Sequence, residues 1–213
     1  MIVLLGGSFD PVHLGHVQVA GEVRSALQAT DFRMLPAGQP PHRQATGASA
    51  AQRLDMLRLA LAEHSGIGID TREIDRPGPS WMVDTLAQLR GERPDTPVCL
   101  VLGQDAANQL DSWHQWRRLP ELAHLVIMTR AGQPAEYKEE LALVLRPRHV
   151  DTVQALEDRP AGAVYLVPVS AIEISATAVR ERIAAGLPLQ GWIAPAVETY
   201  IRRHGLYGAR VSL

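Results

Sequence analysis

The sequence predicts an α/β protein built on an open, mostly parallel β-sheet with helices on both faces and a C-terminal helical segment. Three observations support this prediction. Short aliphatic runs recur along the 213 residues, longer segments with helical periodicity separate them, and several runs lack the polar alternation of a half-exposed strand. A chain in which buried strands alternate with helices is typical of a Rossmann-like sheet, whose parallel strands are joined by right-handed crossovers.

The individual elements follow from these runs. The predicted strands are residues 2–5, 32–35, 67–70, 98–102, 125–129 and 164–167. The predicted helices between them are residues 17–27, 50–63, 83–90 and 116–122. Helices at 175–185 and 195–203 are predicted to follow, and Pro195 suits a helix start, where its missing N–H costs nothing. Residues 36–41 and 76–79 are rich in proline and glycine and are predicted to be loops that reach over a ligand.

The composition indicates a single globular domain spanning residues 1–213, with an ordinary apolar fraction of 46%. A formal net charge of −2 gives no general attraction to nucleic acid or to anionic membranes, so any phosphate site has to be local. The lone Cys99 lies in an apolar run and is expected to be a buried small hydrophobe. No apolar stretch approaches the roughly 20 residues of a membrane span, nor is there a signal-peptide core, so a cytoplasmic protein is expected.

A glycine-rich loop follows the first predicted strand and leads into a helix, with the sequence Gly6-Gly7-Ser8-Phe9-Asp10-Pro11-Val12-His13-Leu14-Gly15-His16. In open parallel sheets, ligands bind beyond the carboxyl ends of the strands, and a helix start there offers N–H groups to an anion. Gly6 and Gly7 let the backbone approach a phosphate closely. The spacing matches neither G-x-G-x-x-G nor G-x-x-x-x-G-K-[ST], which disfavours a dinucleotide oxidoreductase and a P-loop NTPase.

His13 and His16 are three residues apart, so one helical turn places both on the same face. There they are predicted to donate to phosphate oxygens as charge develops during a transfer reaction. Two alternatives stay open at this point. One histidine could be a packing residue at the helix start, or both could form a metal site with Asp10, although H-x-x-H lacks the spacing of the common zinc helix.

A second phosphate motif is predicted far along the chain, in Ile174-Ser175-Ala176-Thr177-Ala178-Val179-Arg180. Ser175 or Thr177 can cap the helix that begins here, and hydroxyl and N–H groups at a helix start suit a phosphate. Arg180 could reach back over the same anion as a bidentate donor. The alternative is an ordinary cap followed by an exposed arginine.

The first motif resembles the signature of the HxGH nucleotidyltransferase superfamily, and the second resembles the I-S-[ST]-T-x-x-R segment of the same superfamily. Further stretches are similar to the bacterial nicotinate-nucleotide adenylyltransferase family over nearly the whole chain. They are Pro40-Pro41-His42-Arg43, Arg72-Glu73-Ile74-Asp75-Arg76, Pro79-Ser80-Trp81-Met82 with Val83-Asp84-Thr85-Leu86, Gly103-Gln104-Asp105 with Trp113, and Tyr200–Tyr207. Ala176, Trp81 and Met82 depart from the family pattern.

The resemblance implies a reaction in which ATP and nicotinate mononucleotide give nicotinate adenine dinucleotide and pyrophosphate, a step of NAD biosynthesis. The expected catalytic residues are His13, His16 and Arg180. The expected ATP-binding residues are Gly6, Gly7, Ser8, Phe9, His13, His16, Gly103, Asp105, Ser175, Thr177 and Arg180. The expected acceptor-binding residues are Asp10, His42, Arg43, Thr85 and Trp113. Mg²⁺ is expected to be held through the ATP phosphates rather than by a protein cluster.

The acceptor residues also suit a carboxylated pyridinium nucleotide on physical grounds. Trp113 can stack on a flat, electron-poor ring, Thr85 can offer its hydroxyl and N–H to a carboxylate, and Arg43 can meet a phosphate. The competing functions are an adenylyltransferase that uses nicotinamide mononucleotide or phosphopantetheine, and a non-catalytic nucleotide sensor. We expect no nucleic-acid or membrane partner, and a monomer or weak homo-oligomer.

Overall fold

The computed structural model describes residues 1–39, 47–130, 137–171 and 173–209. Within these ranges, seven strands form one sheet in the order β3-β2-β1-β4-β5-β7-β6, and every neighbouring pair is parallel. The strands are β1 Ile2–Gly7, β2 Asp31–Pro36, β3 Ile67–Ile69, β4 Val98–Gly103, β5 His124–Arg130, β6 His149–Val150 and β7 Val164–Val169. The prediction of an open parallel α/β sheet is confirmed.

Helices connect the strands and cover both faces of the sheet. They are α1 Leu14–Ala26, α2 Ala50–Leu61, α3 Arg72–Asp75, α4 Met82–Glu92, α5 Gln104–Asn108, α6 Leu119–Leu122, α7 Glu139–Leu145, α8 Gln154–Glu157, α9 Ala176–Ala184 and α10 Pro195–Arg203. The two successive helices that the sequence predicts near the end of the chain are α9 and α10, and a 3-10 turn, Leu206–Gly208, follows them. One prediction is wrong in detail: residues 116–122 do not form a single helix but a 3-10 turn, Trp116–Arg118, followed by α6.

The central strands β1, β4 and β5 bury both of their faces. In β4, Cys99 and Val101 join the core on one side of the sheet, whereas Leu100 and Leu102 join the core on the other side. Because successive side chains of a strand point to opposite faces, a strand covered on both sides needs apolar residues at every position. This is why the sequence shows uninterrupted aliphatic runs. Cys99 is fully buried, and burial raises the pKa of its thiol to about 12, as expected of a packing residue.

The strand order places a switch point between β1 and β4. From β1 the chain progresses through β2 to β3 on one side, whereas β4 leads to β5 and β7 on the other side. Loops at the carboxyl ends of β1 and β4 therefore diverge, and in open α/β sheets this divergence leaves a crevice for a ligand. No helix among the described residues is long and apolar enough to cross a membrane.

Candidate active site

A cleft of about 1190 Å³ opens at this switch point. The predicted site residues that line it come from the end of β1 and the loop after it, the start of α1, the segment from the end of β4 to residue 113, and the start of α9. They are Gly6, Gly7, Ser8, Phe9, His13, His16, Gly103, Asp105, Trp113, Ser175, Thr177 and Arg180. The fold thus brings both predicted phosphate motifs into one cavity, although more than 150 residues separate them in the chain.

The two histidines cap α1 and hold each other in place. The His16 N–H donates to His13 Nδ1, and the His13 N–H donates to His16 Nδ1, each at 3.3 Å. The rings are stacked with centroids 3.6 Å apart. Since Nδ1 accepts a backbone proton in both rings, the ring N–H of each histidine is assigned to Nε2. The arrangement therefore holds two Nε2–H donors side by side on the cleft wall.

Burial sets the charge of His13. Its side chain is 6% exposed, and desolvation lowers its pKa to about 4. His13 is consequently neutral near pH 7 rather than a fixed cation.

The tight loop before the histidines depends on glycine and on an unusual backbone conformation. Phe9 has a φ of +49° and a fully buried side chain, and its ring meets the His16 ring edge-on with centroids 5.1 Å apart. A Cβ on Gly7 would lie 2.8 Å from the Phe9 ring. Gly7 therefore makes room for the Phe9 ring that contacts His16.

Arg180 joins the second motif to the first. Its Nη1 donates to the Asp10 carbonyl at 2.7 Å, and its Nη2 donates to Thr177 Oγ1 at 3.2 Å. Ser175 caps α9, since its Oγ accepts the Ala178 N–H, which confirms one of the two predicted caps. The guanidinium is thus positioned between the two loops that the sequence predicts to bind phosphate.

Two predicted acceptor-binding residues, Asp10 and Thr85, do not line the cleft. Thr85 is fully buried; its hydroxyl donates to Glu73 Oε1 at 2.8 Å and its N–H donates to the Trp81 carbonyl. Both groups that were expected to meet a carboxylate are therefore already engaged inside the protein. The prediction of a direct Thr85 contact is corrected on this ground.

Asp10 also needs a correction, because its carboxylate is occupied by protein groups. Oδ2 accepts the Gly47 N–H at 2.8 Å, and Oδ1 accepts the Ala48 N–H at 3.2 Å and the Tyr207 hydroxyl at 2.6 Å. With 6% of the residue exposed, Asp10 organises loops rather than contacting a ligand or a metal. The other two acceptor predictions, His42 and Arg43, lie outside the described residues.

Several cleft residues were not predicted. Trp81 and His114 line the cavity beside Trp113, and the Trp81 and His114 rings lie 4.6 Å apart at an angle of 36°. Helix α4 begins here without a side-chain cap on its first turn. Glu73 also lines the cleft, and burial raises its pKa. Trp81 and His114 are far apart in the sequence, so no local pattern predicts that their rings pair.

Arg53 is a further residue that sequence reasoning missed. It is fully buried, and its guanidinium donates to the carbonyls of Ser8, Ala37 and Gly38 at 2.6–2.9 Å. It therefore ties the loop after β1 to the loop after β2. Among the described residues, no group of three or more His, Cys, Asp or Glu side chains is placed to hold a metal ion.

Comparison with known proteins agrees with this geometry. The cytidylyltransferase-like family matches residues 4–182. A Stenotrophomonas maltophilia protein named "Probable nicotinate-nucleotide adenylyltransferase" is 46% identical over 213 residues, covering 96% of each chain. An Aeromonas hydrophila protein of the same name is 43% identical over 97% of this chain and 96% of its own length. This chain belongs to the nicotinate-nucleotide adenylyltransferase family.

Solved structures support the fold of this family member. Plasmodium falciparum nicotinic acid mononucleotide adenylyltransferase complexed with NaAD superposes with a TM-score of 0.75 at 17% identity, over 99% of this chain and 98% of that chain. The same enzyme complexed with APC gives a TM-score of 0.73 at 16% identity over the same shares. At such low identity the likeness establishes the fold, whereas the family follows from the sequence matches.

Proposed function

We propose that this adenylyltransferase family member joins ATP and nicotinate mononucleotide, with release of pyrophosphate. The observation that carries the proposal is the meeting of both phosphate motifs in one cleft, where Arg180 bridges them. Trp81 and Trp113 line the same cleft. The names of the relatives support the same reaction. The cavity of about 1190 Å³ exceeds that of a usual single-ligand site and so suits two nucleotides.

In the proposed reaction, a 5′-phosphate oxygen of the acceptor attacks the α-phosphorus of ATP. The new oxygen–phosphorus bond forms as the bond from the α-phosphorus to the bridging oxygen breaks, and pyrophosphate leaves with that electron pair. Because the nucleophile is already an anion, no general base is required, and catalysis rests on positioning and charge stabilisation. His13 and His16 would donate from Nε2 to phosphate oxygens, and Arg180 would stabilise the departing pyrophosphate.

Mg²⁺ would accompany ATP. Asp105 is exposed and lines the cleft. Its carboxylate and the phosphate oxygens would together hold the ion, because Mg²⁺ usually keeps several waters and needs few protein ligands. When bound, the ion would neutralise part of the triphosphate charge.

A preference for the acid over the amide mononucleotide is proposed to arise at the start of α4. The first turn of this helix lacks a side-chain cap, and Trp81 and Met82 at its start line the cleft. The positive end of a helix dipole favours a carboxylate over an uncharged carboxamide. This assignment replaces the predicted direct contact to Thr85.

Pyrophosphate release from ATP and Mg²⁺ tests the function when nicotinate mononucleotide, nicotinamide mononucleotide and phosphopantetheine are compared as acceptors. We expect a strong preference for nicotinate mononucleotide. Turnover with another acceptor would retain the phosphate chemistry and reject the acceptor assignment. Folded protein that binds ATP without turnover would favour the nucleotide sensor.

The variant His16→Asn separates the enzyme from the sensor in a second way. Loss of one preorganised donor should lower kcat by about 10²-fold, while a sensor has no turnover to lose. Cytoplasmic localisation, a monomeric or weakly associated state and the lack of a nucleic-acid partner stay predictions, which fractionation and size-exclusion chromatography can check.

A further inference from the structure

Tyr207 contacts the loop after β1, although the two are far apart in the sequence. Its hydroxyl donates to Asp10 Oδ1 at 2.6 Å across 197 positions of the chain. The ring also rests against the backbone of Gly47, because a Cβ added at that glycine would lie 2.7 Å from the ring. One side chain thus contacts both the loop after β1 and the chain that leads into α2.

The backbone of Tyr207 is held in a conformation that this residue type rarely adopts. Its φ is +56° and its ψ is +27°, inside the left-handed region. A bulky residue persists there only when the surroundings over-determine it, and such residues cluster at functional sites. Here the hydrogen bond to Asp10 and the packing against Gly47 supply those surroundings.

The contact extends from Tyr207 to Arg180 through a single residue. Among the described residues, the Asp10 carboxylate accepts hydrogen bonds from the N–H groups of Gly47 and Ala48 and from the Tyr207 hydroxyl. The Asp10 carbonyl in turn accepts the Arg180 guanidinium at 2.7 Å. The hydroxyl remains protonated, since burial and the neighbouring carboxylate raise the Tyr207 pKa well above its usual range.

We infer that Tyr207 is a positioning residue that orients Arg180 toward the phosphates of the bound nucleotide, acting through Asp10. The inference rests on the proposed function for the identity of the nucleotide, and it adds a residue that lies outside both phosphate motifs. Tyr207 touches neither substrate nor reacting atoms in this role. Without the Tyr207 hydroxyl, the Asp10 carboxylate loses a short hydrogen bond, and the Asp10 carbonyl becomes a less rigid support for Arg180.

The first test is the equilibrium affinity for MgATP, because binding can be measured whether or not the protein turns over. Tyr207→Phe should weaken this affinity by roughly tenfold, the usual scale of a lost hydrogen bond to a charged group. The matched control is Tyr200→Phe. Tyr200 donates a similar bond to Asp55 at 3.1 Å, and neither residue lines the cleft. The control should bind MgATP within twofold of the wild type.

A double-mutant cycle with Arg180→Lys tests the route of the effect. If Tyr207 acts through Arg180, the double variant should bind MgATP no more than about twofold more weakly than Arg180→Lys alone. A general structural role would instead multiply the two losses. Multiplied losses, or wild-type affinity in Tyr207→Phe, would overturn the inference.

A second variant approaches the same contact from the other side. Gly47→Ala should displace the Tyr207 ring and reproduce the weaker MgATP binding, and adding Tyr207→Phe should then cost little more. Circular dichroism spectra of each variant would show whether it is folded. Wild-type protein that binds MgATP but releases no pyrophosphate would reject the proposed function alone, and the binding cycle would still decide the role of Tyr207.

Discussion

At the scale of single residues, His13 makes a measurable contribution to the pH dependence of stability. Its pKa is about 4 in the folded protein and 6.5 when unperturbed, so the unfolded chain binds a proton at acidic pH that the folded protein does not bind. The stability that the neutral His13 contributes is therefore fully present above about pH 6.5, and it is lost as the pH falls toward 4. His13→Asn removes this titration while keeping a residue that caps helices well.

The wild type should therefore lose about 2 kcal/mol more stability than His13→Asn between pH 7.5 and pH 5. Urea denaturation at both pH values gives the difference directly. Equal losses in the two proteins would show that His13 titrates normally in the folded state.

Arg53 offers a second prediction at this scale. Arg53→Met removes the bonds to three loop carbonyls from a fully buried position and should lower the free energy of unfolding by about 2–4 kcal/mol. Arg58→Met on the same helix is the control, because Arg58 is exposed and forms a surface ion pair with Asp55 at 3.3 Å. The control should cost less than about 1 kcal/mol, and similar denaturation midpoints for both variants would contradict the assignment.

At the scale of elements, two glycines of the β1–α1 unit should respond in opposite directions to alanine. Gly7→Ala places a Cβ 2.8 Å from the buried Phe9 ring and should cost about 1–3 kcal/mol of unfolding free energy through overpacking. Gly21 lies inside α1 with nothing within 4 Å of an added Cβ. Gly21→Ala should therefore raise the free energy of unfolding by about 0.5–1 kcal/mol.

Thermal melts of the two variants check the pair. Only the Gly7 variant should also lose MgATP affinity, since its loop lines the cleft. Stabilisation by both substitutions would mean that Gly7 is not constrained by the ring.

Elements with a strong local pattern could be predicted from the sequence, and the others could not. The aliphatic runs marked six strands, but β6 has only the residues His149–Val150 and no run to reveal it. The segment 116–122 has helical periodicity throughout, yet Pro120 in the first turn of α6 lacks the N–H that a continuous helix would need. Residues 139–145 form α7, a helix that the sequence-based prediction does not include.

The site divides in the same way. The motifs around His13 and Ser175 were recognisable because their residues are contiguous and their chemistry depends on local helix starts. The hydrogen bonds that occupy Asp10 and Thr85 could not be predicted in this way. The partners of Asp10 lie at positions 207 and 47 and the partner of Thr85 at position 73, and no spacing rule links such distant positions. The sequence alone does not distinguish a polar residue that contacts the ligand from one that forms hydrogen bonds within the protein and stabilises the loop.

At the scale of the whole molecule, one sheet supplies both cores, so the two faces should unfold together. Residues of β4 alternate between the cores, and loss of the strand would expose both at once. Trp116 packs in one core and Trp192 against the other. Tryptophan fluorescence and circular dichroism should therefore report a single denaturation transition with coincident midpoints.

MgATP should shift that single transition as a unit, because the site proposed for it combines residues 6–16 with residues 175–180, which line one cleft only in the folded chain. At a free concentration of 100 times Kd, the stabilisation should reach about 2.7 kcal/mol. Arg180→Lys, measured at the same MgATP concentration, should gain less because its Kd is higher. A shift seen by fluorescence but not by circular dichroism would mean that the nucleotide stabilises only part of the molecule, and that the two motifs do not form a common site.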